Sequence, residues 1–366
     1  MQVHRLLKGG QRVLGALNRH TPESLKGLTV GGHSHLHTIG LLSMLEYATA
    51  VNDRGTMDFV RVSFEWAKSQ SATFGVSPLI GWFTEWYLAD YPSCECCTVA
   101  DMIALAVNLS VAGAGDYWDD VDRWVRNDFA EQQLTSVDWI YRMASTLPPK
   151  PVARNETAER APERNVGAFA GWSTGNEWGR SIMHCCTGNS TRTLYYVWEH
   201  MLEDKDQDEL RVNLLLNRAS RWVDIYSYIP YEGRVDLKIK QDCRSLWLRA
   251  PEWLGAQSPE IMCTVNGTAR PLRWEGRYVD VGPAKPGDSV VVTFPNYPFK
   301  GFSQSERTVK ERIGLVTYTL TLRGNTVVSI DPPGQNGALY ERAAYRGGKV
   351  PWRKVQRFVP EQLIRW

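Results

Sequence analysis

Five of the seven cysteines fall into two short groups, a spacing that is typical of a thiolate site. The first group is the segment 93–97, Ser-Cys-Glu-Cys-Cys, and the second is 184–186, His-Cys-Cys. Clustered cysteines beside glutamate and histidine are the composition of a zinc or thiolate centre. The other two cysteines, Cys243 and Cys263, lie in strand-like runs and are predicted to be core residues.

The spacing within each group indicates how the side chains meet. Glu95 and Cys97 alternate, so an extended segment would point both to one side. Cys185 and Cys186 precede a helix predicted to start near Asn189, and a helix N-terminus stabilises a thiolate. Three thiolates and one carboxylate satisfy tetrahedral Zn²⁺, which holds the sulfurs deprotonated. The sequence therefore predicts a zinc site formed by Glu95, Cys97, Cys185 and Cys186.

Three other interpretations of the cysteines stay open at this point. They are disulfides, a purely structural zinc clip, and buried cysteines that act as small hydrophobic residues. An odd number of cysteines and an N-terminus without a continuous apolar segment disfavour the disulfides. The free thiolates suit a reducing compartment, so a cytoplasmic location is expected.

The elements that must position these residues change character near residue 205. Before it, apolar residues recur at helical spacing. Eight helices are predicted, near residues 4–18, 36–52, 56–70, 79–88, 98–113, 116–131, 136–145 and 190–203. After residue 208, short β-rich runs alternate with turn signals such as Asn266-Gly267, a pattern typical of a β-sandwich. The charged, proline-rich segment 147–170 is predicted to be a long loop.

Composition excludes several classes of protein. The chain has 366 residues, 42 Lys and Arg against 40 Asp and Glu, and a formal net charge of +2. This balance gives no polybasic arm for nucleic acid, and no apolar run reaches the length of a membrane-spanning helix. Fifteen Trp and fifteen Tyr outnumber ten Phe. Such amphipathic aromatic faces suit sugar rings, although core packing explains them equally well.

The two cysteine groups also carry a family likeness. The chain resembles glycoside hydrolase family 127, the β-L-arabinofuranosidase-like proteins, over roughly residues 30 to 300. Glu95-Cys96-Cys97 matches the family's Glu-x-Cys element, and Cys185-Cys186 matches its adjacent pair just before a helix. The resemblance implies an α+β multidomain chain: an (α/α)-barrel-like helical domain over 1–205 and β-sandwich structure over 206–366.

The resemblance also implies a retaining mechanism on a carbohydrate substrate such as a β-L-arabinofuranoside. It makes Cys185 both nucleophile and zinc ligand, with Cys186, Cys97 and Glu95 completing the metal shell. The family's acid/base glutamate lies shortly upstream of Glu-x-Cys, which points to Glu85. Asp90 and Glu177 are the alternatives to Glu85.

Substrate contacts are expected from histidines and tryptophans near these motifs. Gly32-His33 matches a Gly-His element whose histidine contacts sugar hydroxyls in the family. His33, His35 and His37 alternate, so one extended face would present all three to a sugar or a metal. Helix capping and packing are the other interpretations. Four tryptophans flank the motifs and are candidate sugar platforms: Trp82, Trp86, Trp172 and Trp178.

The chain is shorter than the family's members, mostly before the first motif. We therefore expect an incomplete barrel, whose exposed apolar edge would favour a homo-oligomer. The alternative function is a non-catalytic carbohydrate-binding or structural homologue that retains the zinc site.

Overall fold

The chain forms an α+β structure in which helices precede most of the strands, as expected. A computed structural model describes residues 33–86, 93–149, 151–179, 181–205, 209–296, 306–347 and 349–353. The helices are α1 (Ser34–Ala50), α2 (Arg54–Lys68), α3 (Ser71–Phe74), α4 (Cys96–Val111), α5 (Trp118–Trp124), α6 (Asp138–Ala144), α7 (Ala161–Arg164) and α8 (His184–His200). A π-helical turn, Val125–Phe129, continues α5, and a 3₁₀ turn, Ala343–Arg346, follows the last strand. None of the helices in the described part of the chain is long and apolar enough to cross a membrane.

Most predicted helices match observed ones, but the helix predicted over 79–88 is wrong for its described part, 79–86. The chain instead makes a tight turn in which Ser77 and Trp82 pair through both backbone hydrogen bonds. Gly81 has φ +86°, and a Cβ there would lie 2.8 Å from Trp124. A left-handed glycine packed against an indole ends any helical path, although the local apolar pattern suggests one. The predicted helix 4–18 lies outside the described residues.

Helix α4 is the centre of the helical region. Thirteen of its sixteen residues are buried, and it packs against α1, α5 and α8. An element with apolar residues on all sides must be enclosed by its neighbours. Helix α2, by contrast, is amphipathic and buries residues three or four positions apart, such as Val60 and Phe64. Its N-terminus is capped by Asp53, whose carboxylate accepts a hydrogen bond from Thr56 N at 3.2 Å. Because α4 is enclosed by its neighbours, its first turn is held in a rigid, packed setting.

The strands form two five-stranded sheets, a three-stranded sheet and one two-stranded pair. The strands are β1 (Cys94–Glu95), β2 (Trp172–Ser173), β3 (Leu202–Lys205), β4 (Glu209–Val212), β5 (Val223–Ser227), β6 (Arg234–Ile239), β7 (Cys243–Arg249), β8 (Met262–Val265), β9 (Thr268–Arg270), β10 (Arg273–Glu275), β11 (Tyr278–Ala284), β12 (Ser289–Thr293), β13 (Arg307–Ile313), β14 (Val316–Arg323) and β15 (Thr326–Asp331). Their orders are β10-β11-β7-β4-β3, β5-β6-β12-β8-β9 and β13-β14-β15. All pairs are antiparallel except β4 with β7. Alternating burial along β5 and β6 explains why these strands were predictable.

Buried ion pairs join the helical region to the strands. Arg249 on β7 is 5% exposed and bonds both Asp116 and Asp119 at the start of α5. Arg342 forms a salt bridge with Glu131, just after the π-helical turn. These contacts tie α5 and the turn that follows it to the strand-rich part of the chain.

Candidate active site

The first cysteine group sits where a short strand turns directly into α4. Strand β1 pairs with β2, which places Glu95 opposite Trp172. Helix α4 begins at Cys96, so Glu95 ends the strand and Cys97 lies in the first helical turn. The expectation of one extended segment over these residues is therefore wrong, because the strand stops at Glu95.

The second cysteine group lies in the first turn of α8. This helix begins at His184, several residues before its predicted start, and includes Cys185 and Cys186. The N-cap residue, Met183, makes no side-chain capping hydrogen bond, and the two cysteines lie at the positive end of the helix dipole. Cys186 is buried, whereas Cys185 is exposed and can be reached by a ligand.

The two groups converge on one point. One ligand atom from each of Glu95, Cys97, Cys185 and Cys186 lies within 4.8 Å of the others. The Cys186 sulfur is 3.4 Å from that of Cys97, 3.9 Å from that of Cys185, and 3.6 Å from Glu95 Oε1. Tetrahedral zinc with bonds of about 2.3 Å separates its sulfurs by about 3.8 Å. These four groups have the donor chemistry and spacing to hold a metal ion.

The pKa values of the three thiols are shifted in different directions. A hydrogen bond from Cys97 lowers the pKa of Cys186, and the same contact raises the pKa of Cys97. Burial raises the pKa of Cys185, and the neighbouring sulfur adds to the rise. Deprotonating all three sulfurs beside one carboxylate would concentrate negative charge, which a bound cation would offset.

Glu95 also belongs to a second group, with His33 and Glu85. One ligand atom from each of these three side chains lies within 4.8 Å of the others, and His33 Nε2 bonds Glu95 Oε2. The Glu85 backbone is fixed on both sides, because its N–H donates to Ser93 O at 2.7 Å and its carbonyl accepts from Ser34 N at 2.8 Å. Because the Glu95 carboxylate belongs to both groups, Glu85 lies next to a residue of the thiol cluster.

The environment of Glu85 favours its acid form. The side chain is 5% exposed, and Oε2 has no hydrogen-bond partner among the described residues. Burial raises the pKa of Glu85, the indole of Trp172 opposes the rise, and the Glu95 carboxylate adds to it. A carboxyl group whose pKa is raised by burial is better suited to donate a proton than an exposed one.

A polar network behind the cluster joins α1, α4 and α8. Asp101 is completely buried and accepts from His35 Nδ1 at 2.8 Å and Thr38 Oγ1 at 2.8 Å. It also accepts from Asn189 Nδ2 at 2.8 Å and from Arg192 at 3.1 Å. The hydrogen bond that His35 donates to Asp101 raises the pKa of His35. His35 is thus oriented by Asp101 rather than directed at the four potential ligands.

The three histidines do not share one extended face. Helix α1 starts at Ser34, so only His33 precedes it, and His35 and His37 lie in the helix. The ring of His33 packs 5.1 Å from Trp86 and 5.7 Å from His35, while His37 lies in an exposed position. The expected row of three alternating histidines is therefore wrong, because the chain is helical there.

Of the four candidate sugar-platform tryptophans, Trp82 and Trp178 are deeply buried, whereas Trp86 and Trp172 are partly buried. Trp82 is 0% exposed. Trp178 is 8% exposed, packs on Trp139 at 5.6 Å and donates from Nε1 to Glu131 O at 2.8 Å. Their burial favours the core interpretation that the sequence left open.

The two alternatives to Glu85 receive no support from the described residues. Glu177 Oε2 accepts from Gln335 N at 3.0 Å, away from the thiol cluster. Asp90 lies outside the described residues.

Sequence reasoning missed Asp101 and Asn189. Asn189 also donates to Cys97 O at 3.1 Å, so it links the two helices that carry the cysteines. The available signal was Asn189 one helical turn after Cys185, and Asp101 four residues after Cys97 in an otherwise apolar helix. A carboxylate inside an apolar helix must find buried partners.

Comparison with known proteins finds no matching protein-family model and no matching curated protein. Solved structures do match. A GH127 β-L-arabinofuranosidase from Geobacillus stearothermophilus T6 matches with a TM-score of 0.52 and 16% identity, over 81% of this chain and 47% of that one. A GH127 β-arabinofuranosidase matches with a TM-score of 0.56 and 18% identity, over 81% and 47%. A glycoside hydrolase matches with a TM-score of 0.53 and 14% identity, over 81% and 51%.

This chain spans about half the length of those structures, and the low identity restricts the likeness to the fold. Over four-fifths of its residues, the chain has the fold of the corresponding part of GH127 β-L-arabinofuranosidases.

Proposed function

We propose that the chain is a retaining glycoside hydrolase in which Cys185 is the nucleophile and Glu85 the general acid and base. The observation that supports this most is the exposed Cys185 thiol in a buried cluster whose carboxylate, Glu95, also contacts the group containing Glu85. The fold likeness to glycosidases supports the same reaction class. We further propose that the helical region corresponds to a partial (α/α) barrel over 1–205 and the sheets to a β-sandwich over 206–366.

We propose that Zn²⁺ is the ion held by Glu95, Cys97, Cys185 and Cys186. Three sulfurs and one carboxylate oxygen are a donor set that zinc prefers, and the sulfur separations fit tetrahedral coordination. When bound, Zn²⁺ supplies stabilisation of thiolate sulfur, which is otherwise a poor leaving group.

The residues of the chain then divide the reaction between them. The Cys185 sulfur attacks the anomeric carbon while the protonated Glu85 carboxyl gives its proton to the leaving glycosidic oxygen. Glu85, now ionised, takes a proton from water, and the resulting hydroxide displaces the sulfur at the anomeric carbon. Two displacements at one carbon retain its configuration.

For the substrate we propose a β-L-arabinofuranoside, since one matching structure is named a β-L-arabinofuranosidase and a second a β-arabinofuranosidase. We propose that His33, which is partly exposed and bonds Glu95, contacts a sugar hydroxyl. The ring of His35, oriented by Asp101, lies close to that of His33. Stacking of the sugar on Trp82 or Trp178 remains a prediction that their burial does not favour.

The test is turnover of p-nitrophenyl β-L-arabinofuranoside by the intact chain and by Cys185→Ser. Loss of the nucleophile removes the covalent step, so we expect activity to fall by at least about a thousandfold. Cys263→Ser is the matched control, because Cys263 lies in β8, outside the cluster, and should keep activity. An electrophilic arabinoside should label the peptide that carries Cys185.

Turnover, and not metal content, separates this proposal from the alternative, a non-catalytic homologue that retains the zinc site. Both predict about one zinc per chain, but only the hydrolase releases nitrophenol. A protein that binds zinc, has no turnover on any arabinoside, and forms no adduct at Cys185 contradicts the enzymatic proposal.

A further inference from the structure

A cavity of about 580 Å³ lies where the end of α8 meets β5 and the segment 349–353. Its volume falls within the range of about 300–1,000 Å³ that is usual for small-molecule sites. Trp198, which lines it, follows Cys185 by thirteen residues on the same helix, which is about 20 Å at 1.5 Å per residue. The cavity is therefore separate from the thiol cluster.

Aromatic side chains dominate the wall of this cavity. They are Trp198, Tyr226, Tyr231, Tyr345 and Trp352. Tyr226 and Trp352 meet at 69° with centroids 5.8 Å apart, and Tyr231 and Tyr345 meet at 64° and 5.4 Å. These pairs form corners rather than the parallel plates that would sandwich a flat nucleobase. Corners of this kind suit a sugar ring, which offers apolar C–H faces and polar edges.

The lining of the cavity carries positive charge. It includes Arg218 and Arg353 but no aspartate or glutamate among the described residues. Arg218 is 8% exposed, lies 4.5 Å over the Trp198 ring, and donates to the carbonyl oxygens of Glu199 at 3.2 Å and Leu202 at 3.3 Å.

The guanidinium of Arg218 is incompletely satisfied. Its Nε is buried without a hydrogen-bond partner in the described part of the chain. Burial lowers the pKa of Arg218 to about 10, and the Glu199 carboxylate opposes this shift. Because the cost of burying the cation outweighs the attraction to Glu199, an anionic ligand beside the guanidinium would be favoured.

We propose that this cavity binds an acidic sugar, that is, a glycan unit that carries a carboxylate. Its ring packs in the corner beside Trp352, which is 48% exposed, and its carboxylate points towards Arg218. This site does not depend on hydrolysis at Cys185, so either proposal can fail without the other.

The test is ligand-observed NMR with the full chain and millimolar sodium glucuronate or sodium galacturonate, with glucose and galactose as neutral partners. We expect saturation transfer to the uronates and binding at least tenfold weaker for the neutral sugars. Trp352→Ala should weaken uronate binding roughly tenfold through lost ring contact. Tyr141→Ala is the matched control, because Tyr141 is equally exposed, at 48%, but lies on α6 outside the cavity.

Variants of the two arginines provide the second part of the test. Arg218→Gln and Arg353→Gln should each reduce the preference for uronates over neutral sugars, with melting temperatures recorded because Arg218 is buried. Arg353 is exposed, so its variant keeps the test decisive if Arg218→Gln fails to fold. Absence of uronate binding, equal binding of neutral sugars, or tighter binding of adenosine monophosphate would overturn the proposal, as would uronate binding that Trp352→Ala leaves unchanged.

Discussion

Neighbouring cysteines in this chain have different environments and therefore different chemistry. Cys96 is completely buried against Ser190, at 3.2 Å between Sγ and Oγ, and burial raises its pKa well above the usual value. Cys94 is equally buried, beside Asp128 and Gln132. Only Cys97 of the first group reaches the sulfurs from α8. Direction relative to the helix, and not composition, separates a potential ligand from a core residue.

Asp128 is a buried carboxyl group whose ionisation should destabilise the fold. It is 0% exposed, accepts from Gln132 Nε2 at 2.5 Å, and has Oδ1 without a partner among the described residues. Burial raises the pKa of Asp128 to about 8. The folded protein therefore keeps this proton at pH values where the unfolded chain has lost it.

We predict that stability falls as pH rises from about 4 towards 8, because folding must retain the Asp128 proton. The slope from this one group is at most about 1.4 kcal/mol per pH unit. Asp128→Asn, which cannot ionise, should flatten that part of the profile. Urea unfolding at pH 5, 6.5 and 8 measures it, and identical slopes for both proteins would contradict the prediction.

The arrangement of α1, α4 and α8 depends on one carboxylate. Asp101 accepts hydrogen bonds from two residues of α1 and two of α8, and four donors around one buried anion hold three helices in register. Because Asn189 joins this network and also bonds the carbonyl of Cys97, the same contacts set the separation of the two cysteine groups. The metal-binding geometry is thus a consequence of helix packing.

We predict that Asp101→Asn lowers the free energy of unfolding by about 3 kcal/mol, because it leaves buried donors without their anion. Thr38→Val, which removes one donor, should cost about 1 kcal/mol. Asp58→Asn is the control, since Asp58 is 71% exposed and pairs with Arg61 at 3.5 Å. Its effect should stay below about 0.5 kcal/mol. Similar losses for Asp101→Asn and Asp58→Asn would refute this role.

The helical region and the sheets share buried polar contacts and should unfold together. Asn127, in the π-helical turn, accepts from Val327 N at 2.8 Å and donates to Asn325 O at 2.8 Å. Gly75 and Gly314 exchange a backbone hydrogen bond at 2.8 Å, and a Cβ on Gly75 would lie 2.1 Å from Gly314 O. Together with Arg249 and its two aspartates, these contacts cross from helices to strands at several places.

We predict one calorimetric unfolding transition for the chain. We also predict a loss of about 3 kcal/mol for Arg249→Gln, because the variant loses two charge-assisted hydrogen bonds made by a buried guanidinium. Arg273→Gln is the matched control, because Arg273 is 76% exposed and pairs with Asp280 at 2.6 Å. It should change stability by less than about 1 kcal/mol. Two separate transitions in the unmodified chain would show that the contacts do not couple the regions.

Much of this arrangement can be predicted from the amino-acid sequence. Apolar spacing locates α1, α2 and α4, alternation locates β5, β6 and β12, and the cysteine groups mark the potential ligands. These features are local, since periodicity within ten to twenty residues reports which face of an element is buried. The same spacing fails at 79–86, where Gly81 against Trp124 imposes a turn that only a distant residue requires.

Sequence patterns do not show which residues that are distant along the chain lie close together in the fold. Cys97 and Cys186 are 89 residues apart, yet their sulfurs are 3.4 Å apart because α4 and α8 pack with their first turns together. Asp101, His33 and Glu85 acquire their partners through the same packing. Residue types and periodicity specify the helices and strands and the chemistry that they carry. Close packing of distant elements specifies which side chains meet, because the packing depends on the shapes of all the buried side chains at once.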